Sequence, residues 1–391
     1  MLNLLDNLNF EKGKNNLIFN NIYFLFFFSF LYSDFLGLHI VYPIMIFSLS
    51  LVLSYKDLFF KRLDIFLIFI SLAYYILIFL NGLKISLIPG SIGTIINYCI
   101  GLMCLLVFLA SQKDSSEKIN KKNLIVALIN KYKFFITLMT ILIVLDASIR
   151  IGSVFIENGF NLSKIYQSKV NSIIFTDSNS LGLMVLSLLS VNIFLYELSH
   201  DRALKFFNFV LLALIVLTIS RSAIVSSLIL IFLVYIKQLK ILILKYRSII
   251  YASLIFLLIG FMYFTVNYLS NFEISTSLNS RARAYSVIFD YVDRSILEVI
   301  FGVGLHNSKQ LAGMYSHAQI ANWLIEAGLV GFILNFLIHL RVLYLSRWTA
   351  FLIIPQAIAG FAYFNSHGFI YYFASMGLII FLEKKFYSDA H

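Results

Sequence analysis

The sequence predicts an all-α polytopic membrane protein with about twelve transmembrane helices, both termini cytoplasmic, and two long outer loops. Three observations predict it. First, of 391 residues 60% are hydrophobic and only 13% charged, against roughly 45–50% and 25% in soluble domains. A mean hydropathy of +0.89 says the same. Second, the apolar residues fall into runs near the ~20 residues that cross a bilayer as helix, and only 3 prolines interrupt the chain. Third, the basic residues alternate between crowded and sparse loops, as the positive-inside rule requires. The whole chain, 1–391, reads as one integral membrane domain.

Taken in order, the expected spans are 17–33, 38–54, 63–80, 92–110, 132–149, 178–196, 204–220, 223–237, 248–267, 318–340, 349–365 and 368–382. Asp6, Glu11, Lys12 and Lys14 precede the first run, and many runs follow it. That order argues against a cleaved signal peptide. Cys99 and Cys104 sit inside one apolar run and read as small buried residues, neither a disulfide nor a metal framework. The least secure boundary is Ser220–Ser222, where two short spans meet with almost no loop.

With the N-terminus inside, 21 of the 30 Lys and Arg residues fall in cytoplasmic segments, leaving nine outside. The net charge of +11 is mostly this topology signal. Spread over seven inner segments, it forms no stripe for nucleic acid. The nine outer cations are Lys84, Arg150, Lys164, Lys169, Arg221, Arg281, Arg283, Arg294 and Lys309. Five are arginines, against five of the 21 inner ones, so arginine is enriched outside. Its planar fork suits phosphate oxygens. Arg150 reads as a solvated or paired charge. Arg294, with Asp290 and Glu298 four residues to either side, reads as a helix pairing.

The long outer loops cover 150–177 and 268–316 and make up the active-site side. Within the second, 284–300 has loosely helical apolar spacing and predicts a membrane-surface helix. Gly302 and Gly304 then end it as turn residues; no strand accompanies them, so they are not a nucleotide loop. The following stretch, Tyr315–Phe336, predicts a single apolar helix. At 100° per residue, Gly328 returns to the face of His317 and Gly331 lies close to it. Two notches beneath a histidine would admit a neighbouring backbone. Glu326, on the opposite face, is expensive in a membrane and is expected to pair within the bundle.

Four pieces in order then resemble the superfamily of Wzy-type O-antigen polymerases and WaaL-type O-antigen ligases. FTDSNSLGLMVLSLL (175–189) resembles a segment where Asn opens a helix after an outer loop. LTISRSAIVSSLILI (217–231) resembles a break of the form SRxA between two helices, carrying Arg221. SRARAYSVIFDYV (280–292) resembles an arginine stretch that leads to GVG. His317-Ala318, nine residues, then Gly328-Leu329-Val330-Gly331 resembles a His-[Asn/Ser/Gln]-x9-Gly-x-x-Gly pattern. Ala318 departs from it; Gln319 stands one position late for the amide. The matches span 175–331, under half of the chain.

The resemblance implies an inverting, metal-independent membrane glycosyltransferase of the GT-C type, without cofactor, in the bacterial cytoplasmic (inner) membrane. Its substrate would be an oligosaccharide on undecaprenyl pyrophosphate, used at the outer face of the bilayer. Candidate partners are membrane lipid and a chain-length regulator and flippase of the same pathway. Such chemistry needs cations for the leaving pyrophosphate and a group near the attacking hydroxyl. Arg221, Arg281 and Arg283 are the candidates for the first. His317 is the candidate for the second, since imidazole exchanges protons near neutrality. Asn179, His306, His367 and Gln319 are candidate substrate-binding residues; for Asn179 the plain alternative is a helix cap. The expectation is that His317→Ala or Arg283→Ala abolishes polymer while leaving membrane insertion intact.

No Asp-x-Asp and no zinc-type His/Cys spacing occur in the chain, so no metal site is expected. The motifs fit a ligase that moves polymer to lipid A-core as well as a polymerase; the Phe-, Ile-, Asn- and Lys-rich composition favours the polymerase. A flippase or transporter is the alternative of another class. Against it stand the lack of an internal repeat and the lack of matched helix interruptions in the two halves.

Overall fold

The computed structural model describes residues 22–31, 41–54, 58–83, 89–112, 121–159, 168, 172, 174, 178–269, 285–286, 295–305, 307, 319–362 and 370–387. Apolar runs with few helix breakers leave the backbone one way to satisfy itself in lipid, the α-helix. In chain order these are α1 (Ile22–Leu31), α2 (Val41–Leu53), α3 (Arg62–Leu83), α4 (Pro89–Leu109), α5 (Lys121–Asn158) and α6 (Ser178–Ser199). There follow α7 (Arg202–Leu217), α8 (Arg221–Tyr235), α9 (Lys237–Phe264), α10 (Ile296–Phe301), α11 (Gln319–Glu326), α12 (Gly328–Leu345), α13 (Ala350–Ala362) and α14 (Ile370–Tyr387). Among the described residues the extended structure is one antiparallel ladder, Leu58–Phe59 against Ser111–Gln112.

Among the described residues six helices are long and apolar enough to cross a membrane: Arg62–Gly82, Ile92–Leu109, Ile125–Glu157, Ser178–Ser199, Lys237–Asn267 and Gly328–Leu345. Shorter apolar helices lie at Ile22–Leu31, Tyr42–Leu53, Arg221–Tyr235 and Ala350–Gly360. Phe134 is 75% exposed, Phe256 70% and Leu257 66%. Apolar exposure on this scale belongs in hydrocarbon. The chain is an all-α membrane protein.

Its centre is α6, 83% of whose apolar window is buried. It packs against α7, α8, α13 and α14. Polar groups join the helices where lipid offers them no partner. Gln356 of α13 donates to Leu183 O and Ser187 Oγ of α6, both at 2.9 Å. Small residues admit close neighbours. Gly101 of α4 meets the Phe373 ring, and Gly377 of α14 meets Phe108. Cys99 and Cys104 are free, one half-buried and one buried, as expected of small packing residues.

The single helix expected over Tyr315–Phe336 is broken. The structure ends α11 at Glu326 and starts α12 at Gly328, whose φ is +65°. Gly328 and Gly331 therefore do not continue a face of α11; His317 lies outside the described residues. The break is built for backbone contact. A Cβ on Gly328 would lie 2.4 Å from Gly302 N and 2.5 Å from Ile300 O. Val303 N donates to Ile325 O and Gly304 N to Glu326 O, each at 3.0 Å. The Tyr74 hydroxyl reaches both Phe301 O and Ala327 O. Glu326 is fully buried at this junction. So Gly328 does admit a neighbouring backbone, and that neighbour is the Gly-Val-Gly turn. The turn ends α10 as expected, with Gly302 at φ +78°. Ile296 and Leu297 of α10 are 74% and 64% exposed; Asp290 and Arg294 lie outside the described residues.

Contacts sort the helix ends into two sets. At one end Arg341 pairs with Asp64 (2.6 Å), Lys133 with Asp201 (2.6 Å), Lys240 with Glu197 (2.7 Å) and Arg347 with Glu383 (3.4 Å). Arg247 there caps α12, donating to the free carbonyls of Leu343 and Tyr344. At the other end lie the α7–α8 junction, the start of α6 and the Gly328 break. Five cations assigned to the inner segments, Lys133, Lys240, Arg247, Arg341 and Arg347, thus gather at one end, although they come from distant parts of the chain.

Asp201 at that basic end is the N-cap of α7, accepting from Ala203 N at 2.8 Å. Burial alone would raise its carboxyl. The Lys133 ammonium and the amides of Ala203 and Leu204 outweigh that and hold it below the usual carboxylate range. Its stabilising effect is therefore present above the ordinary carboxylate pKa and is lost as pH falls through the lowered value. Asp201→Ala should cost about 1 kcal/mol at neutral pH, read from the melting midpoint in detergent. The difference from the parent should vanish in acid.

Candidate functional site

The SRxA-like segment forms the sharpest local feature at the second end of the bundle. α7 ends at Leu217, and the Thr218 hydroxyl turns back to Ile215 O at 2.6 Å. Ile219 then adopts φ +57°. A β-branched residue in that left-handed region costs about 1–2 kcal/mol. Ser220 follows in extended conformation as the N-cap of α8, its hydroxyl facing Ala223 N at 3.5 Å. Arg221 is the first residue of α8 and its side chain is exposed. Two short helices do meet at Ser220–Ser222, joined by one strained residue and a cap.

The first turn of α6 stands against this break. A Cβ on Gly182 would lie 2.8 Å from both Ser220 Cβ and Ala223 Cβ. Glycine here lets the two helix starts touch. Asn179 lies one turn earlier on α6, half-buried between the buried Ser178 and Ser180. Hence two of the resembling pieces, distant in sequence, come together. The structure brings Asn179 and Arg221 to one end of the bundle, at the starts of α6 and α8, where the helix dipoles favour anions.

Beneath the break lies a group that sequence reasoning did not select. Arg150 of α5 is fully buried and pairs with Asp146 one turn away, Nε to Oδ2 at 2.7 Å. Its Nη1 donates to Ser168 O and its Nη2 to Leu217 O, both at 3.2 Å. Asp146 Oδ1 accepts from Ser172 Oγ at 2.9 Å and Ile174 N at 3.3 Å. Arg150 is thus paired, as one expectation had it, and not solvated. The signal was the i,i+4 spacing of opposite charges inside an apolar helix.

Gln319 opens α11, but it faces inward, against Gly360 of α13, and is 8% exposed. It lines a cavity of ≈ 10 Å³ with Tyr251, Trp323, His339 and Tyr372, room for about one water. His339 was also missed. Its Nδ1 is 2.7 Å from Asn335 O, which only accepts, so Nδ1 carries the proton and Nε2 accepts from the Tyr372 hydroxyl at 3.0 Å. Asn335 in turn donates to Tyr75 and accepts from Tyr98. This polar string fastens α12 to α3, α4 and α14. The remaining candidates His317, Arg281, Arg283, His306 and His367 lie outside the described residues. Among the described residues no group of three His, Cys, Asp or Glu is placed to hold a metal ion. No protein-family model, curated protein or solved structure matches this chain.

Proposed function

We propose that the chain is an O-antigen polymerase, joining oligosaccharides carried on undecaprenyl pyrophosphate at the outer face of the cytoplasmic membrane. In this reading about twelve spans place both termini in the cytoplasm, and the end bearing Arg221 faces outward. The observation that carries the reading is the strained break at Ile219–Arg221, packed on the first turn of α6. It presents a fixed, exposed cation beside two helix N-termini, a setting suited to an anionic leaving group. The segregation of paired cations at the opposite end supports the orientation.

The reaction is a displacement with inversion. A hydroxyl of the acceptor sugar attacks the anomeric carbon of the donor, and the bond from that carbon to the phosphate oxygen breaks. The lipid pyrophosphate leaves with the bonding electrons, met by Arg221 and, in this proposal, by Arg281 and Arg283. The hydroxyl proton passes to His317. Asn179 is placed to contact the donor near the pyrophosphate.

The test is purified protein in detergent with synthetic undecaprenyl-pyrophosphate repeat unit and a metal chelator. A ladder of longer lipid-linked glycans is expected. Transfer only after lipid A-core is added would mean the ligase, and movement of lipid-linked sugar across liposomes with neither product would mean a flippase. Arg221→Ala should lower ladder formation by about 10²–10³-fold at unchanged protein level. Arg221→Lys should recover only part, because lysine lacks the fork.

A further inference from the structure

We infer that the buried Asp146–Arg150 pair is a positioning device that holds the α7–α8 break and so aims Arg221; Arg150 is a positioning residue, and this rests on the polymerase reading. Three observations lead there. The first is strain. Ile219 sits at φ +57°, and a residue stays in such a conformation only where its surroundings over-determine it. On one side the determinant is visible: Ser220 caps α8 and packs into the space left by Gly182. On the other side it is the guanidinium of Arg150, bound to Leu217 O two residues before Ile219.

The second observation is the completeness of the pair. Each nitrogen of the Arg150 guanidinium has a partner, on α5, on Ser168 and on α7. Both carboxylate oxygens of Asp146 are engaged as well. Three of its five N–H donors are used in this way, and the side chain is fully buried, so it fixes three chain segments to one another and does not face a substrate. The third is cost. Both side chains are at most 1% exposed. Such a pair gives little net stability over apolar residues of like size, so a fixed geometry is the gain that accounts for it.

The experiment compares the native protein with Arg150→Lys, which keeps the charge and loses the fork. Spin labels on Ser148→Cys and Val225→Cys, in a background with Cys99 and Cys104 changed to serine, report the α5–α8 distance. A control pair on Leu77→Cys and Leu337→Cys reports α3 and α12. The expected result is a narrow α5–α8 distribution that at least doubles in width in Arg150→Lys, with the control unchanged. Polymer formation should fall tenfold or more in kcat, with donor KM within twofold. Asp146→Asn, which keeps the volume, should show the same pattern more weakly and serves where lysine at 150 prevents folding.

An unchanged α5–α8 width, equal broadening of the control pair, or a raised donor KM with kcat retained overturns the inference. A native protein that makes no ladder, while Arg150→Lys still broadens the α5–α8 distance alone, overturns the polymerase reading and leaves the positioning of the break standing.

Discussion

Gly328→Ala is expected to abolish the folded protein or lower its stability by about 3 kcal/mol or more. Two costs add. The residue has φ +65°, where an L side chain costs about 1–2 kcal/mol. The new Cβ would also stand 2.4 Å from Gly302 N and 2.5 Å from Ile300 O. Those are backbone atoms, which cannot rotate away, and such overpacking costs about 1–3 kcal/mol. Gly302→Ala should behave alike, since its Cβ would meet Glu326 O at 2.3 Å with φ +78°. Gly260→Ala is the control. Nothing lies within 4 Å of that position in α9, so alanine should be neutral or stabilising by up to about 1 kcal/mol. Melting of detergent-solubilised protein, followed by size-exclusion fluorescence, separates the three. A Gly328→Ala protein as stable as the parent would mean that α11 and α12 are one continuous helix.

That junction also shows where the sequence ceased to be legible. Apolar run lengths located most helices well: 178–196 was expected where α6 covers Ser178–Ser199, and 204–220 and 223–237 where α7 and α8 lie. The gathering of cations at one end was readable too, because loops report their side of a membrane through charge. The break at Gly328 was not. Both of its halves are apolar and helical, and glycine is common inside membrane helices. What ends α11 is the arrival of Gly302 and Gly304 from a distant turn, with Tyr74 of α3 binding both strands of the contact. Sequence periodicity carries no record of such a partner.

The candidate site divides in the same way. Asn179 and Arg221 were found from motif pieces, and the fold sets them at one end. Gln319 was read as a stand-in for a missing amide, yet it turns inward because Gly360 opposite leaves room for it. His339 and Asn335 could have been found from their i,i+4 spacing within an apolar helix, the usual mark of a polar contact between membrane helices. Arg150 was half legible. Its spacing from Asp146 predicts a pair, whereas two of its three bonds go to backbone carbonyls, which no residue type announces.

The Asp146–Arg150 pair yields the second large expected effect. Arg150→Ala leaves the Asp146 carboxylate buried without its countercharge and should cost about 3–5 kcal/mol. Asp146→Ala should cost a similar amount by stranding the guanidinium. The double variant removes both charges and leaves only neutral groups short of partners, the carbonyls of Ser168 and Leu217, the Ser172 hydroxyl and the Ile174 amide. It should therefore be about as stable as either single variant, giving a coupling of about 3–5 kcal/mol in magnitude in a double-mutant cycle. Denaturant midpoints of the four proteins in one detergent measure it. Additive losses would mean that the two side chains act separately, and that Arg150 holds the break through its carbonyl contacts alone. Strong coupling means that the carboxylate orients the fork, and that the end of α7 is held only while both charges are present.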